Sequence, residues 1–324
     1  MGKYFKSEEE FVEFIKKFQM PHSYVREGIG EDSLILEIDK KIIAITTDSY
    51  KENVHFKRKY LNLKEIAYRC TAGALSDLAA CGAKPITMLI SLFIPENFTK
   101  KETEEFYRGI NEISKFYGIS VTGGDLVKKG NELSFTITCI GEIDEYPILR
   151  KGAKEGDILC ITGNTGNVLA GFEILEKNLK VNKKIKKSLV EKFKFPKPKI
   201  AEMAFLKEKV KITSGIDISD GIAKDAERLA NSSGVKIIIE EEKLPFSKEL
   251  SDYTITFKKD LLYYLLNSGE EYEVLFTISE SEKEKLPEWV SIIGRVEGGR
   301  GLYIKTKRGK IIKIKGGYDY FENI

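Results

Sequence analysis

Between Cys70 and Ala83 the chain carries a single charged residue, Asp77, in a run of small and apolar side chains. Residues 64–83 (KEIAYRCTAGALSDLAACGA) predict one helix. A carboxylate left alone in such surroundings costs several kcal/mol, so whatever fold forms must bring a partner, ideally a cation, to Asp77. Caps and turns, the usual local roles of aspartate, do not occur in the middle of a helix.

The segments around that helix mix strands with helices. Residues 6–18 (KSEEEFVEFIKKF) place Phe11, Phe14, Ile15 and Phe18 at helical spacing, with Ser7 as N-cap and Glu10 three residues on. Residues 33–38 and 41–48 are β-rich runs separated by Asp39-Lys40, which predicts a two-residue hairpin lacking the usual glycine. In that register 38 faces 41 and 32 faces 47, so Asp32 and Asp48 meet at the open end. A helix over 101–117 follows, then strands at GISVT (118–122) and LSFTITCIG (133–141). Pro147 and Gly152 then break the pattern, placing a domain boundary between 147 and 148. The second half predicts a strand at GDILCITG, helices over 166–177 and 183–194, a Pro-Lys-Pro link, a strand, and a helix over 220–232. Strand VKIIIE, a helix over 258–267, strand EYEVLFTI and closing strands to 314 complete it. The fold class is α/β (α+β) in two domains, 1–147 and 148–324.

Composition narrows the partners. At 324 residues the chain can bury two cores. With Lys+Arg 53 against Asp+Glu 50, the net charge of +3 advertises neither a nucleic-acid nor a membrane surface, which leaves a small molecule. No run of about 18 apolar residues occurs and the start resembles no leader, so a soluble cytoplasmic protein is expected. Cys70, Cys81, Cys139 and Cys160 are widely spaced and sit among aliphatic residues, as core side chains do. Charged residues reach 32% and glutamine occurs only as Gln19, a mix seen in proteins from hot environments.

The remaining chemistry is aspartate. Asp32 follows the Gly28-Ile29-Gly30 turn, Asp48 closes strand AITTD, and Asp125 follows Gly123-Gly124. Strand GIDIS delivers Asp217 and Ser219 to one face, and Asp220-Gly221 opens a helix. Singly, Asp220 also suits a helix N-cap, Asp125 a turn, and Asp32 and Asp48 hairpin flanks. Converging together with Asp77, these six carboxylates repel unless divalent cations lie between them. Magnesium takes such hard oxygen ligands and completes its shell with phosphate.

Other chemistries are excluded or weak. There is no P-loop and no G-x-G-x-x-G. His22 and His55 alone cannot furnish a Ser-His-Asp set, and no zinc spacing exists. Gly163-Asn164-Thr165-Gly166 could cradle a phosphate at a helix N-terminus or be a plain turn. The basic runs 183–187 and 305–313 read as solvated faces.

In order along the chain, GIGEDSLIL (28–36), TTDSYKENVHF (46–56), ALSDLAACGAKP (74–85), GGD (123–125), GDILCITGNTG (156–166), GIDISDG (215–221), SGEEYEVLFT (268–277), IGR (293–295) and GGYDYF (316–321) resemble the thiamine-monophosphate kinase family. That family sits in the superfamily of aminoimidazole ribonucleotide synthetase. The resemblance implies an N-terminal mixed sheet with helices that dimerises, plus a C-terminal α/β domain completing the site. It implies that Asp32, Thr46, Thr47, Asp48, Asp77, Asp125, Asp217 and Asp220 form the shell and surroundings of several magnesium ions. Tyr107, Gly124, Arg150 and Ser219 are implied near ATP, and His55, Glu270 and Tyr318 around thiamine, Tyr318 offering an aromatic face to cationic rings. The implied reaction is direct phosphoryl transfer from ATP to thiamine monophosphate, a phosphate group being the acceptor, with no covalent nucleophile on the protein.

The chain departs from the family pattern at Glu31 and Glu271, where aspartates are usual, and at Phe195-Pro-Lys-Pro-Lys199, where arginines are common. Lys51-Glu52-Asn53 also differs. Two other readings stay open on sequence: a sister enzyme of the superfamily, and a regulator that binds nucleotide without an acceptor. The first 69 residues hold no cysteine for a selenophosphate synthetase, and the chain does not end in cysteine as the hydrogenase-maturation relative does.

Overall fold

The computed structural model describes residues 5–316. The first half runs α1 (Glu8–Ile15), β1 (Val25–Glu27), β2 (Leu34–Ile38), β3 (Lys41–Lys51), α2 (Leu63–Ala80), β4 (Lys84–Ile94), α3 (Lys100–Tyr117), β5 (Ser120–Lys128) and β6 (Ser134–Ile143). These strands form one mixed sheet in the order β1-β2-β3-β6-β4-β5, with β4 and β5 parallel and the other pairs antiparallel. The β2–β3 register is the expected one, Ile38 facing Lys41 and Leu34 facing Ile45. Asp39 (φ 48°) and Lys40 (φ 68°) both adopt the left-handed backbone that a two-residue hairpin requires, without glycine.

The second half continues with β7 (Asp157–Ile161), α4 (Asn167–Glu176), α5 (Lys183–Lys194), α6 (Ile200–Lys209), β8 (Ile212–Asp217), α7 (Ile222–Ser233), β9 (Lys236–Glu240), α8 (Lys248–Thr256), α9 (Leu261–Asn267), β10 (Val274–Ser279), β11 (Ser291–Glu297), β12 (Gly301–Lys305) and β13 (Ile311–Lys313). Its sheet has the order β13-β12-β9-β11-β7-β10-β8, with β9 and β12 parallel. The two-domain α/β architecture expected from the sequence is present.

Helix α2 is the pivot. Asn62 and Glu65 close a capping box at its start, each side chain bonding the other's backbone N–H. It packs on α3 beneath the first sheet and also against α5, α6 and β8 of the second half, so nearly all of its sides are buried. Its small residues allow that close approach.

Several local expectations need correction. Strand β4 and helices α6 and α8 were not anticipated, and the helix expected over 258–267 begins only at Leu261. Asp48 and Asp125 lie inside β3 and β5 rather than at strand ends, because both strands run three residues further. Gly221 (φ 105°), not Asp220, is the N-cap of α7. The four cysteines are buried and free, as expected of core side chains.

Candidate active site

Three carboxylates converge where the halves meet. Asp32 precedes β2, Asp77 projects from α2, and Asp217 ends β8; one oxygen of each lies within 4.8 Å of the others. Hydroxyls hold two of these, Asp77 and Asp217, and a neighbouring aspartate in place. Thr46 donates to Asp77. Ser76 Oγ donates to Asp217 Oδ2 at 2.7 Å, and Tyr50 Oη donates to Asp48 Oδ2 at 3.0 Å. Thr46 and Asp48 share a face of β3 because side chains alternate along a strand. Thr47 therefore turns away, and its hydroxyl pairs with Thr138 at 3.0 Å on the opposite face.

The electrostatics of the cluster favour added positive charge. Burial, then the charges of Asp48, Asp217 and Asp32, push the Asp77 carboxyl well above the usual carboxylate range, against the Thr46 bond. Burial, then Asp32 and Asp225, do the same to Asp217, while Ser76 and Arg150 oppose. Burial also raises Asp48, and the Tyr50 bond resists. Burial and mutual repulsion thus disfavour the charged forms of Asp77, Asp217 and Asp48. Positive charge placed among them offsets that cost, and an all-carboxylate donor set without nitrogen or sulfur suits a hard divalent ion such as magnesium.

Two arginines frame the cluster. Arg150 Nε bonds Asp32 Oδ1 at 2.9 Å, a second N–H reaches the same oxygen, and Nη1 donates to Gly30 O at 3.1 Å. Arg228 Nη1 lies 2.6 Å from Asp220 Oδ2 and 3.1 Å from Asp225 Oδ1, and its Nη2 is 3.0 Å from Glu8 of α1. Asp225 Oδ2 accepts the backbone N–H groups of Ser219 (3.1 Å) and Asp220 (3.0 Å), fixing the turn between β8 and α7.

Within one chain, the remaining predicted residues do not all join this group. Tyr107, Gly124 and Asp125 line a separate 460 Å³ cleft between α3 and the β4–β5 pair, with Phe98 and Phe106 in its wall. Gly124 (φ 151°) is obligatory there: an added Cβ would stand 1.9 Å from the Ile90 carbonyl oxygen. In the Gly163–Gly166 turn the Glu273 carboxylate packs 2.5 Å from where a Gly163 Cβ would be, and Glu271 Oε1 accepts the Val168 N–H at the start of α4.

His55 and Glu270 form a third group. His55 Nδ1 accepts from the Lys51 N–H at 3.0 Å, which leaves the proton of the neutral ring on Nε2. Burial lowers the His55 pKa, and the Glu270 charge beside it opposes that shift. Tyr318 lies outside the described residues.

Sequence reasoning missed Arg69, Tyr50, Ser76, Asp225 and Arg228. Ser76 had a local signal, a hydroxyl adjacent to the mid-helix carboxylate. Tyr50, Asp225 and Arg228 also lie close in sequence to groups they hold, Asp48, the Ser219-Asp220 backbone and Asp225, but in no recognisable motif, whereas Arg69 meets Phe193 and Glu270 on distant segments.

Residues 30–143 and 154–307 match the AIR synthase related protein family, by its N-terminal and C-terminal domains respectively. A thiamine-monophosphate kinase from Buchnera aphidicola subsp. Schizaphis graminum is 35% identical over 95% of this chain and 96% of its own. Its counterpart from Aquifex aeolicus is 33% identical over 89% and 91%. The chain belongs to the thiamine-monophosphate kinase family. The solved structure described as AaThiL complexed with AMPPCP and TMP shares 32% identity, covers 97% of both chains and superposes with a TM-score of 0.86. A second thiamine monophosphate kinase structure, from Aquifex aeolicus, gives 30% identity and a TM-score of 0.81. Among the described residues, no helix of this thiamine-monophosphate kinase family member is long and apolar enough to cross a membrane.

Proposed function

We propose that this chain transfers the γ-phosphoryl group of ATP to thiamine monophosphate, giving ADP and thiamine diphosphate, at a magnesium site built on the converging aspartates. The convergence of Asp32, Asp77 and Asp217 from both halves of the chain carries the reading. The relatives that match over most of their length are thiamine-monophosphate kinases, one of them seen with an ATP analogue and TMP.

In this reading Asp32, Asp77 and Asp217 hold magnesium directly, with Asp48, Asp220 and Asp125 completing the shells of several ions. Thr46 supports Asp77, whereas Thr47 could contribute only through its backbone, since its side chain is committed to Thr138. Bound magnesium neutralises phosphate charge as transfer proceeds. The chain's own contribution is positioning: Thr46, Tyr50 and Ser76 keep the carboxylates aimed, and Asp225 fixes the Ser219-Asp220 backbone. Arg150, pinned on Asp32, presents its remaining N–H groups to phosphate. His55 and Glu270, with Tyr318, receive thiamine.

The separation of the Tyr107–Gly124–Asp125 cleft from the cluster fits a homodimer in which each ATP lies between residues of two chains. Strand β5 supports it: this sheet-edge strand is exposed along almost its whole length, with Leu126 62% exposed. We place the domains at 1–147 and 148–324, and the enzyme in the cytoplasm of an organism from a hot habitat.

The test is incubation of purified protein with ATP, magnesium and thiamine monophosphate, with products identified by mass spectrometry. Thiamine diphosphate with stoichiometric ADP, abolished by a chelator, is expected. ATP binding without that product contradicts the proposal.

A further inference from the structure

Arg69 of α2 is 1% exposed, yet a guanidinium keeps its charge at any accessible pH and must find anionic or carbonyl partners where it is buried. Its Nη1 donates to the Phe193 carbonyl oxygen and its Nη2 to Glu270 Oε2, while the guanidinium plane lies over the Phe193 ring, 4.0 Å from the centroid. Three contacts thus fix one planar group, and no rotation frees it without stranding a buried charge.

The partner carboxylate is not buried. Glu270 keeps 40% of its side chain exposed, so it stays open to solvent while anchored from behind. Its backbone is held as well: φ is 56°, unusual for glutamate, and its N–H donates to the Ser219 carbonyl oxygen at 2.8 Å. Tyr272, two residues on, repeats this with φ 53° and an N–H bond of 3.1 Å to Ile218 O. The loop carrying Glu270 is therefore tied by backbone to the segment that follows Asp217, and by side chain to the helix that carries Asp77.

We propose that Arg69 is a positioning residue for acceptor recognition: it clamps the partly exposed Glu270 carboxylate beside His55, where it meets the cationic heterocycle of the acceptor. The inference rests on the kinase reading above. Arg69 touches no reacting atom, and its pairing restricts a carboxylate that would otherwise sample several rotamers in water. Loss of the clamp should therefore act on acceptor binding and leave nucleotide binding untouched.

The experiment is steady-state kinetics of Arg69→Met, Arg69→Lys, Glu270→Gln and Arg69→Met/Glu270→Gln, varying thiamine monophosphate and ATP separately, with melting curves for each. Arg69→Met should raise the acceptor KM about tenfold or more, with the ATP KM and kcat within about threefold of wild type. Arg69→Lys, which keeps the charge but cannot hold both acceptors in a planar fork, should raise the acceptor KM about threefold to fivefold. The double variant should be no worse than Glu270→Gln alone, because Arg69 acts through Glu270.

An unchanged acceptor KM in Arg69→Met, equal changes in both KM values, or multiplying penalties in the double variant would overturn the proposal. If Arg69→Met does not fold, Arg69→Lys carries the same test by its acceptor KM against its ATP KM. A wild-type protein that forms no thiamine diphosphate would sink the kinase reading instead, so the two failures are distinguishable.

Discussion

Ser76 Oγ donates to Asp217 Oδ2 at 2.7 Å, so one turn of α2 both carries Asp77 and holds an aspartate of the other half. Adjacent residues of a single helix thereby fix two of the three converging carboxylates. Ser76→Ala removes a donor from a buried carboxylate and should lower stability by about 1–3 kcal/mol. Urea unfolding, together with a magnesium titration of activity showing a raised metal requirement, checks this.

Asp77→Asn tests the repulsion in the cluster. The Asp77 carboxyl is pushed up by burial and by Asp48, Asp217 and Asp32, so a neutral amide should leave the metal-free protein as stable as wild type or more so. The wild type should gain about 2.7 kcal/mol from magnesium at a hundred times its Kd, and the variant much less. Turnover should fall by about a hundredfold or more. Melting curves with and without magnesium read the first effect.

Gly73 is closely overlaid by two buried phenols. A Cβ there would lie 2.4 Å from Tyr50 Oη and 2.8 Å from Tyr272 Oη. Gly73→Ala should cost about 1–3 kcal/mol by overpacking and push Tyr50 off Asp48. Denaturant midpoint and kcat should fall together; an unchanged kcat in a destabilised variant would show that the Tyr50 bond does not aim Asp48.

Glu271 gives a pH dependence away from the metal cluster. It accepts the Val168 N–H (3.1 Å) and the Ser268 hydroxyl (2.6 Å), and burial, the largest cause, raises its carboxyl to about 7 from 4.5. A folded-state pKa raised above the unfolded value means that the folded chain binds the proton more tightly. Its contribution is complete below about 4.5 and is lost as pH rises through about 7, amounting to about 3 kcal/mol. Glu271→Gln, which keeps an acceptor and a donor, should flatten that part of the stability profile. Chemical denaturation at pH 5 and pH 8 measures the difference.

The legible parts of this molecule were those with local signals. The hairpin at Asp39-Lys40 was readable from two β-rich runs, and the site from a carboxylate that a small-residue helix could not otherwise accommodate. Strand β4 was hidden because both its faces are apolar: Met88, Ile90 and Leu92 enter the core, while Leu89 and Phe93 remain open on the other side. Alternation, the usual strand signature, is then blurred. Helix α6 escaped notice because Pro196 and Pro198 precede it and only Met203 and Leu206 bury fully. The family resemblance places Thr47 with Thr46, yet strand alternation sends their side chains to opposite faces. Arg69 was invisible because its meaning lies in Phe193 and Glu270, residues more than a hundred positions away.

The most direct test of the central claim is a single-turnover transfer from γ-labelled ATP to thiamine monophosphate by wild type and Asp77→Asn, with thiamine monophosphate affinity measured in parallel. The account predicts label in thiamine diphosphate with the wild type and almost none with the variant, at equal acceptor affinity. Label transfer by the folded variant at a rate near that of wild type would contradict it.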